Sequence, residues 1–90
     1  MPKSTLQRTI LDRASQRPDG SYTVTLLDDR ELAGAKVREE AEEVARAARG
    51  ESDQRVAEEA ADVIYHLTVL MAGRGLTLAD AERVLDDRRR

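Results

Sequence analysis

The chain has no cysteine, no tryptophan and no phenylalanine, and only two tyrosines among its 90 residues. The lack of cysteine excludes a disulfide framework and thiolate metal sites, and fits a reducing, cytoplasmic setting. With so few aromatics, a core has to be assembled from Ala, Val, Leu and Ile, a set that suits helices and leaves little depth. No apolar run reaches membrane-spanning length and no signal peptide is seen, so no membrane partner is expected. Excess basic charge is missing too. Fifteen Lys and Arg against 18 Asp and Glu give a formal net charge of −3, which argues against general nucleic-acid binding. The expectation is one small domain over residues 1–90. Its thin core makes self-association through shared apolar faces expected.

What is present reads as helices. Ser4 with Gln7 has the spacing of a capping box, followed by Leu6, Ile10, Leu11 and Ala14, and predicts a helix over about 5–17. Pro18 and Gly20 in "RPDGS" break it. "SYTVTLL" (21–27) alternates Tyr22, Val24 and Leu26 with Thr23 and Thr25, a strand pattern. With no second strand in the chain, it is expected to be an extended segment crossing the helices, or an edge that pairs with a second copy. Asp28 or Asp29 can cap a helix over about 29–49, stopped by Gly50, with Val37, Ala41, Val44 and Ala48 as its apolar stripe. Ser52 or Asp53 can cap the next, to about residue 72. Val56, Ala57, Ala60, Val63, Ile64, Leu67, Leu70 and Met71 form its expected core face, and Tyr65 and Val69 make its second half apolar nearly all round. Thr77 with Asp80 opens a last short helix carrying Leu78, Ala81, Val84 and Leu85, and "DDRRR" is expected to fray. The fold class is therefore all-α: a bundle of about four helices and one extended segment.

The chemistry concentrates in "EEAEE" (39–43) and "EEAAD" (58–62). At about 100° per residue, Lys36, Glu40 and Glu43 share a stripe beside the apolar face of their helix, while Glu39 and Glu42 point further out. Glu42 can pair with Arg46, and Glu39 has no comparable partner. Glu59, Asp62 and His66 form the matching stripe on the following helix. An antiparallel hairpin centred on residue 51 sets residues whose numbers sum to 102 at one height. Glu43 then faces Glu59, Glu40 faces Asp62, and Lys36 faces His66.

Four converging carboxylates repel one another, and desolvation adds to the cost. A divalent cation removes both problems, and hard oxygen ligands from two helices describe a Mg²⁺ site. The bland alternative is a solvated acidic face balanced by nearby arginines. Asp62 speaks against that alternative, being a poor helix former placed just before an apolar run. Lys36 is placed to hold a phosphate as a point charge. His66 reads as a structural histidine, Tyr65 and Met71 as packing residues, and "PDGSYT" as a turn.

"PDGSYTVTLL", "KVREEAEEVARAA" and "EEAADVIYHLTVLMAGRGLTLADAERVL", in this order and spacing from Arg17 to Leu85, resemble the phosphoribosyl-ATP pyrophosphatase family, one of the MazG-like all-α pyrophosphatases. The group's EExxE and ExxD motifs are met by Glu39, Glu40 and Glu43, then Glu59 and Asp62. The resemblance implies a helical homodimer whose subunits together form the sites. It also implies Mg²⁺-dependent hydrolysis of phosphoribosyl-ATP to phosphoribosyl-AMP and pyrophosphate, in histidine biosynthesis. Glu40, Glu43, Glu59 and Asp62 map onto metal-binding, catalytic carboxylates, with Glu39 as a further candidate. Lys36 sits where the family has a lysine, and Ser21, Tyr22 and Thr23 would line the nucleotide or ribose end. Arg38 stands where the family often has glycine and is expected to face solvent. The cyclohydrolase that takes the next step is expected on a separate chain. Two other readings stand beside this one: a dUTP or NTP pyrophosphatase of the same group, and a non-catalytic helical dimerisation module.

Overall fold

The computed structural model describes residues 5–89, and among these there is no β-strand. Five helices follow in order: α1 (Thr5–Gln16), α2 (Tyr22–Asp28), α3 (Arg30–Gly50), α4 (Asp53–Ala72) and α5 (Leu78–Arg88). None of them is long and apolar enough to cross a membrane. The Ser4 end of the expected first capping box lies outside the described residues.

The long helices start where the capping residues stand. Asp29 accepts from the Leu32 amide at 3.0 Å to open α3, and Ser52 accepts from the Arg55 amide at 3.2 Å to open α4. These side chains satisfy amides that the first turn of a helix leaves unpaired. At the end of α4, Gly75 takes φ +75°. The Leu76 amide reaches back to the Met71 carbonyl and the Gly75 amide to that of Ala72, each at 2.9 Å. That left-handed closure favours glycine. The Thr77–Asp80 capping box forms as expected, with the Thr77 amide donating to Asp80 at 2.8 Å.

The segment expected to be extended is helical. Ser21 caps α2 by accepting from the Val24 amide, and Thr25 donates both its amide and its hydroxyl to the Ser21 carbonyl. Thr23 and Leu26, three apart, are the residues α2 buries. β-Branched residues cost a helix only a few tenths of a kcal/mol each, whereas burying one leucine is worth about 2 kcal/mol. With no neighbouring strand to supply a ladder, helix wins. The chain end also departs from expectation: α5 continues through Asp86 and Asp87 to Arg88, where a basic last turn suits the helix dipole.

Ile10, Leu26, Ala33 and Val69 form the buried core, drawing one residue from each of α1 to α4, with Leu6, Leu27, Leu32, Tyr65, Leu70 and Ala72 packed around it. The antiparallel α3–α4 pair is by far the most extensive contact. Its facing sides are rotated from the expected stripes. Ala41 and Ala48 are exposed on α3 while Ala33 and Ala47 are buried; on α4, Ala57 and Ile64 are exposed while Glu59, His66, Thr68 and Val69 are buried. Counting only apolar positions puts acids outside the seam. Here Glu40, Glu43 and Glu59 are part of it. The rotation leaves Ile64 48% exposed, and Leu76, Val84 and Leu85 are exposed as well. The radius of gyration of 14.2 Å exceeds the roughly 12 Å of a compact chain of this length.

Candidate metal centre

Glu40 and Glu43 lie on the inner side of α3, and Glu59 on that of α4. Each offers a carboxylate oxygen, and the three oxygens lie within 4.8 Å of one another. The hairpin geometry explains the meeting: Glu43 and Glu59 sum to 102, and Glu40 is one turn along from Glu43. Glu59 is only 6% exposed. One of its oxygens, Oε1, and Oε1 of Glu40 are buried without a hydrogen-bond partner among the described residues. A buried carboxylate oxygen left unpaired is costly, so the pair of orphans calls for a ligand. The Glu43 carboxyl is held above its ordinary proton affinity. The first cause is its contact with Glu59, followed by the like charge of Glu59, by desolvation and by Glu40 and Glu39.

The other expected site residues are placed differently. Asp62 is exposed on α4 and is not one of the three clustered groups; its backbone carbonyl accepts from His66 Nδ1 at 2.9 Å. Glu39 is exposed, as its direction on the helix implied, but it does have a partner: Lys36 Nζ donates to it at 2.9 Å. That bond raises the Lys36 pKa and lowers that of Glu39. Glu42 pairs with Arg46 at 3.8 Å, and Arg38 is exposed, both as expected.

Tyr22 and Thr23 are tied to α4. The Tyr22 hydroxyl lies 3.0 Å from His66 Nε2, and the Thr23 hydroxyl 2.5 Å from that of Tyr65. A carbonyl can only accept, so Nδ1 of His66 carries the proton, and in neutral imidazole Nε2 accepts from Tyr22. His66 stands edge-on to the Tyr65 ring, with centroids 5.1 Å apart. His66 is thus a satisfied, buried histidine, and Tyr65 bonds as well as packs. Ser21, Tyr22 and Thr23 border an open depression of about 490 Å³, shared with Arg13, Gln16 and Gly20.

Arg55 is the residue that the sequence reading passed over. Its guanidinium bonds Glu59 Oε2, Glu58 Oε1 at 2.5 Å and Glu51 Oε1 at 3.4 Å. The signal was present, since Arg55 stands three and four residues before "EE" (58–59), the spacing of helical ion pairs.

Five helices with an acidic cluster set inside an antiparallel pair define an all-α domain with a candidate divalent-cation centre. Residues 4–89 match the family described as phosphoribosyl-ATP pyrophosphohydrolase, and the chain belongs to this family. It is 44% identical over 86 residues to the phosphoribosyl-ATP pyrophosphatase of Saccharolobus islandicus, covering 94% of this chain and 92% of that protein. It is 45% identical over 82 residues to the protein of the same name from Rhodopirellula baltica, covering 87% of this chain and 68% of that one. The histidine biosynthesis trifunctional protein of Neurospora crassa is 43% identical over 86 residues, which is 96% of this chain but only 9% of that much longer protein.

Proposed function

We propose that the chain hydrolyses phosphoribosyl-ATP to phosphoribosyl-AMP and pyrophosphate in the cytoplasm, with Mg²⁺ held by Glu40, Glu43, Glu59 and Asp62. The observation that carries this reading is the pair of orphaned buried oxygens on Glu40 and Glu59. It falls in a family named for that reaction. Hard carboxylate oxygens from two helices fit a small divalent cation. When bound, Mg²⁺ supplies Lewis-acid character and neutralises charge on the triphosphate oxygens. Glu40, Glu43 and Glu59 provide the converging negative charge. Asp62, one turn beyond Glu59 on α4 and exposed, would be the fourth ligand in this reading. One of these carboxylates accepts the proton of the water that attacks the α-phosphorus. Lys36, held charged beside Glu39, would meet a substrate phosphate as a point charge. The Tyr22–His66 bond fixes the start of α2 against α4, and with it the depression into which Ser21 and Thr23 place the nucleotide or ribose end.

The reading includes a homodimer. The exposed Ile64, Leu76, Val84 and Leu85 and the extended α5 are what a second copy would cover.

The test is pyrophosphate release by the purified chain. Turnover of phosphoribosyl-ATP is expected only with Mg²⁺ or a similar divalent ion, and at a kcat/KM well above that for dUTP or any common NTP. A preference for dUTP or an NTP moves the assignment to the sister activity. A chain that hydrolyses nothing and whose melting ignores Mg²⁺ is a dimerisation module.

A further inference from the structure

Arg55 stands on the solvent side of the carboxylate cluster and is half exposed, yet its planar head bonds three carboxylates. Each of its three nitrogens makes one of these bonds: to Glu51 from the hairpin connection, to Glu58 on the outer face of α4, and to Glu59 from the buried seam. The bond to Glu59 uses Oε2 and leaves Oε1 buried and unpaired. One guanidinium thus touches the most buried carboxylate of the site without filling its free oxygen.

Resting on the cation reading above, we propose that Arg55 is a standing counter-charge of this site. It offsets part of the Glu59 charge until a divalent cation arrives, and so sets how much the fold depends on that cation. Three carboxylates within 4.8 Å of one another repel in the metal-free chain. Arg55 relieves that repulsion from outside, as a cation would relieve it from within. The two positive charges do overlapping work and also repel each other. Arg55 therefore stabilises the metal-free fold and weakens cation binding, and by linkage the cation weakens the hold of Arg55 on Glu59. A lysine in its place would keep the charge but not the fork that joins three carboxylates. Arg55 acts through Glu59 and is a positioning residue.

The discriminating experiment uses the full chain, wild type against Arg55→Gln and Arg55→Lys. Each is melted in EDTA and in saturating Mg²⁺, and each is titrated with Mg²⁺ by calorimetry. Glutamine is a good helix former, so the half-exposed position tolerates it. Arg55→Gln should melt several degrees lower in EDTA, gain more from Mg²⁺ than wild type does, and bind Mg²⁺ roughly three- to tenfold more tightly, the scale expected of one unit charge near the surface. Arg55→Lys should keep a Mg²⁺ affinity within about twofold of wild type, since the charge is retained. A merely structural bridge between the connection and α4 would lower the melting temperature equally in both conditions. That result, or an Arg55→Gln affinity equal to or weaker than wild type, overturns the inference alone. A wild-type chain that shows no Mg²⁺ binding and no Mg²⁺ effect on melting overturns the cation site, and this inference with it.

Discussion

Glu59→Gln should abolish pyrophosphate release while leaving the metal-free fold at least as stable as before. Glu59 is the most buried member of the cluster and touches both Glu43 and Arg55. The amide keeps the shape and can still accept from Arg55, but it removes one of three converging charges. The Mg²⁺ affinity should fall on the order of tenfold or more, because ligand charge sets the affinity of such sites. A Lewis acid is worth several kcal/mol of transition-state stabilisation, so kcat/KM should fall roughly a thousandfold or more. Melting in EDTA should hold or rise, since relief of like-charge repulsion is the usual trade of function for stability. Melting curves and pyrophosphate assays on one preparation check both halves. A Glu59→Gln chain that turns over near the wild-type rate removes the cluster from the chemistry.

Leu26→Ala should cost more stability than most single substitutions. Leu26 is 1% exposed and packs with Ile10, Ala33 and Val69 from three other helices. Truncating such a leucine costs about 3 kcal/mol, from lost burial and the cavity left behind. For a domain of this size that corresponds to a fall in melting temperature of roughly 15 °C. Thr25→Ala, one residue away and exposed, should change stability by less than about 0.5 kcal/mol. The contrast reports directly on α2 as a packed helix. Equal, mild effects at the two positions would mean that the 22–28 segment does not anchor the core.

Two of the departures of the fold from the sequence pattern, at α2 and in the α3–α4 seam, have the same origin: local pattern carries no information about the tertiary partner. Alternating Tyr22, Val24 and Leu26 looked like a strand because nothing local shows that no second strand exists. The Ser21 cap and the burial of Leu26 against α1, α3 and α4 decide the outcome. On α3 and α4, apolar counting chose Ala41, Ala48, Ala57 and Ile64 as inward residues. All four are exposed, because the seam is centred on Glu40, Glu43 and Glu59, which a hydropathy sum treats as outward. The helix ends were legible, since Asp29, Ser52 and Thr77 are cap residues with a local mechanism. The Glu43–Glu59 meeting was legible too, because a short connection at Gly50–Ser52 fixes the register of an antiparallel pair. The opposition of Glu40 to Asp62 was not reproduced as a close cluster: Asp62 stands exposed and Glu40 gathers with the other two glutamates. Arg55 was legible as a helical ion-pair partner, but its tie to a buried carboxylate depends on which face α4 turns inward.

The most direct measurement is a ¹³C NMR titration of the Glu43 side-chain carboxyl, with and without saturating Mg²⁺. In EDTA its pKa should lie above the ordinary glutamate value, as contact with Glu59 dictates. A raised carboxyl favours the fold while protonated, so this contribution is present at acid pH and is lost as pH rises through the raised pKa. Mg²⁺ should pull the same pKa below the ordinary value, because a bound cation favours the charged form. A Glu43 that titrates like a free glutamate, unmoved by Mg²⁺, would contradict the cation centre.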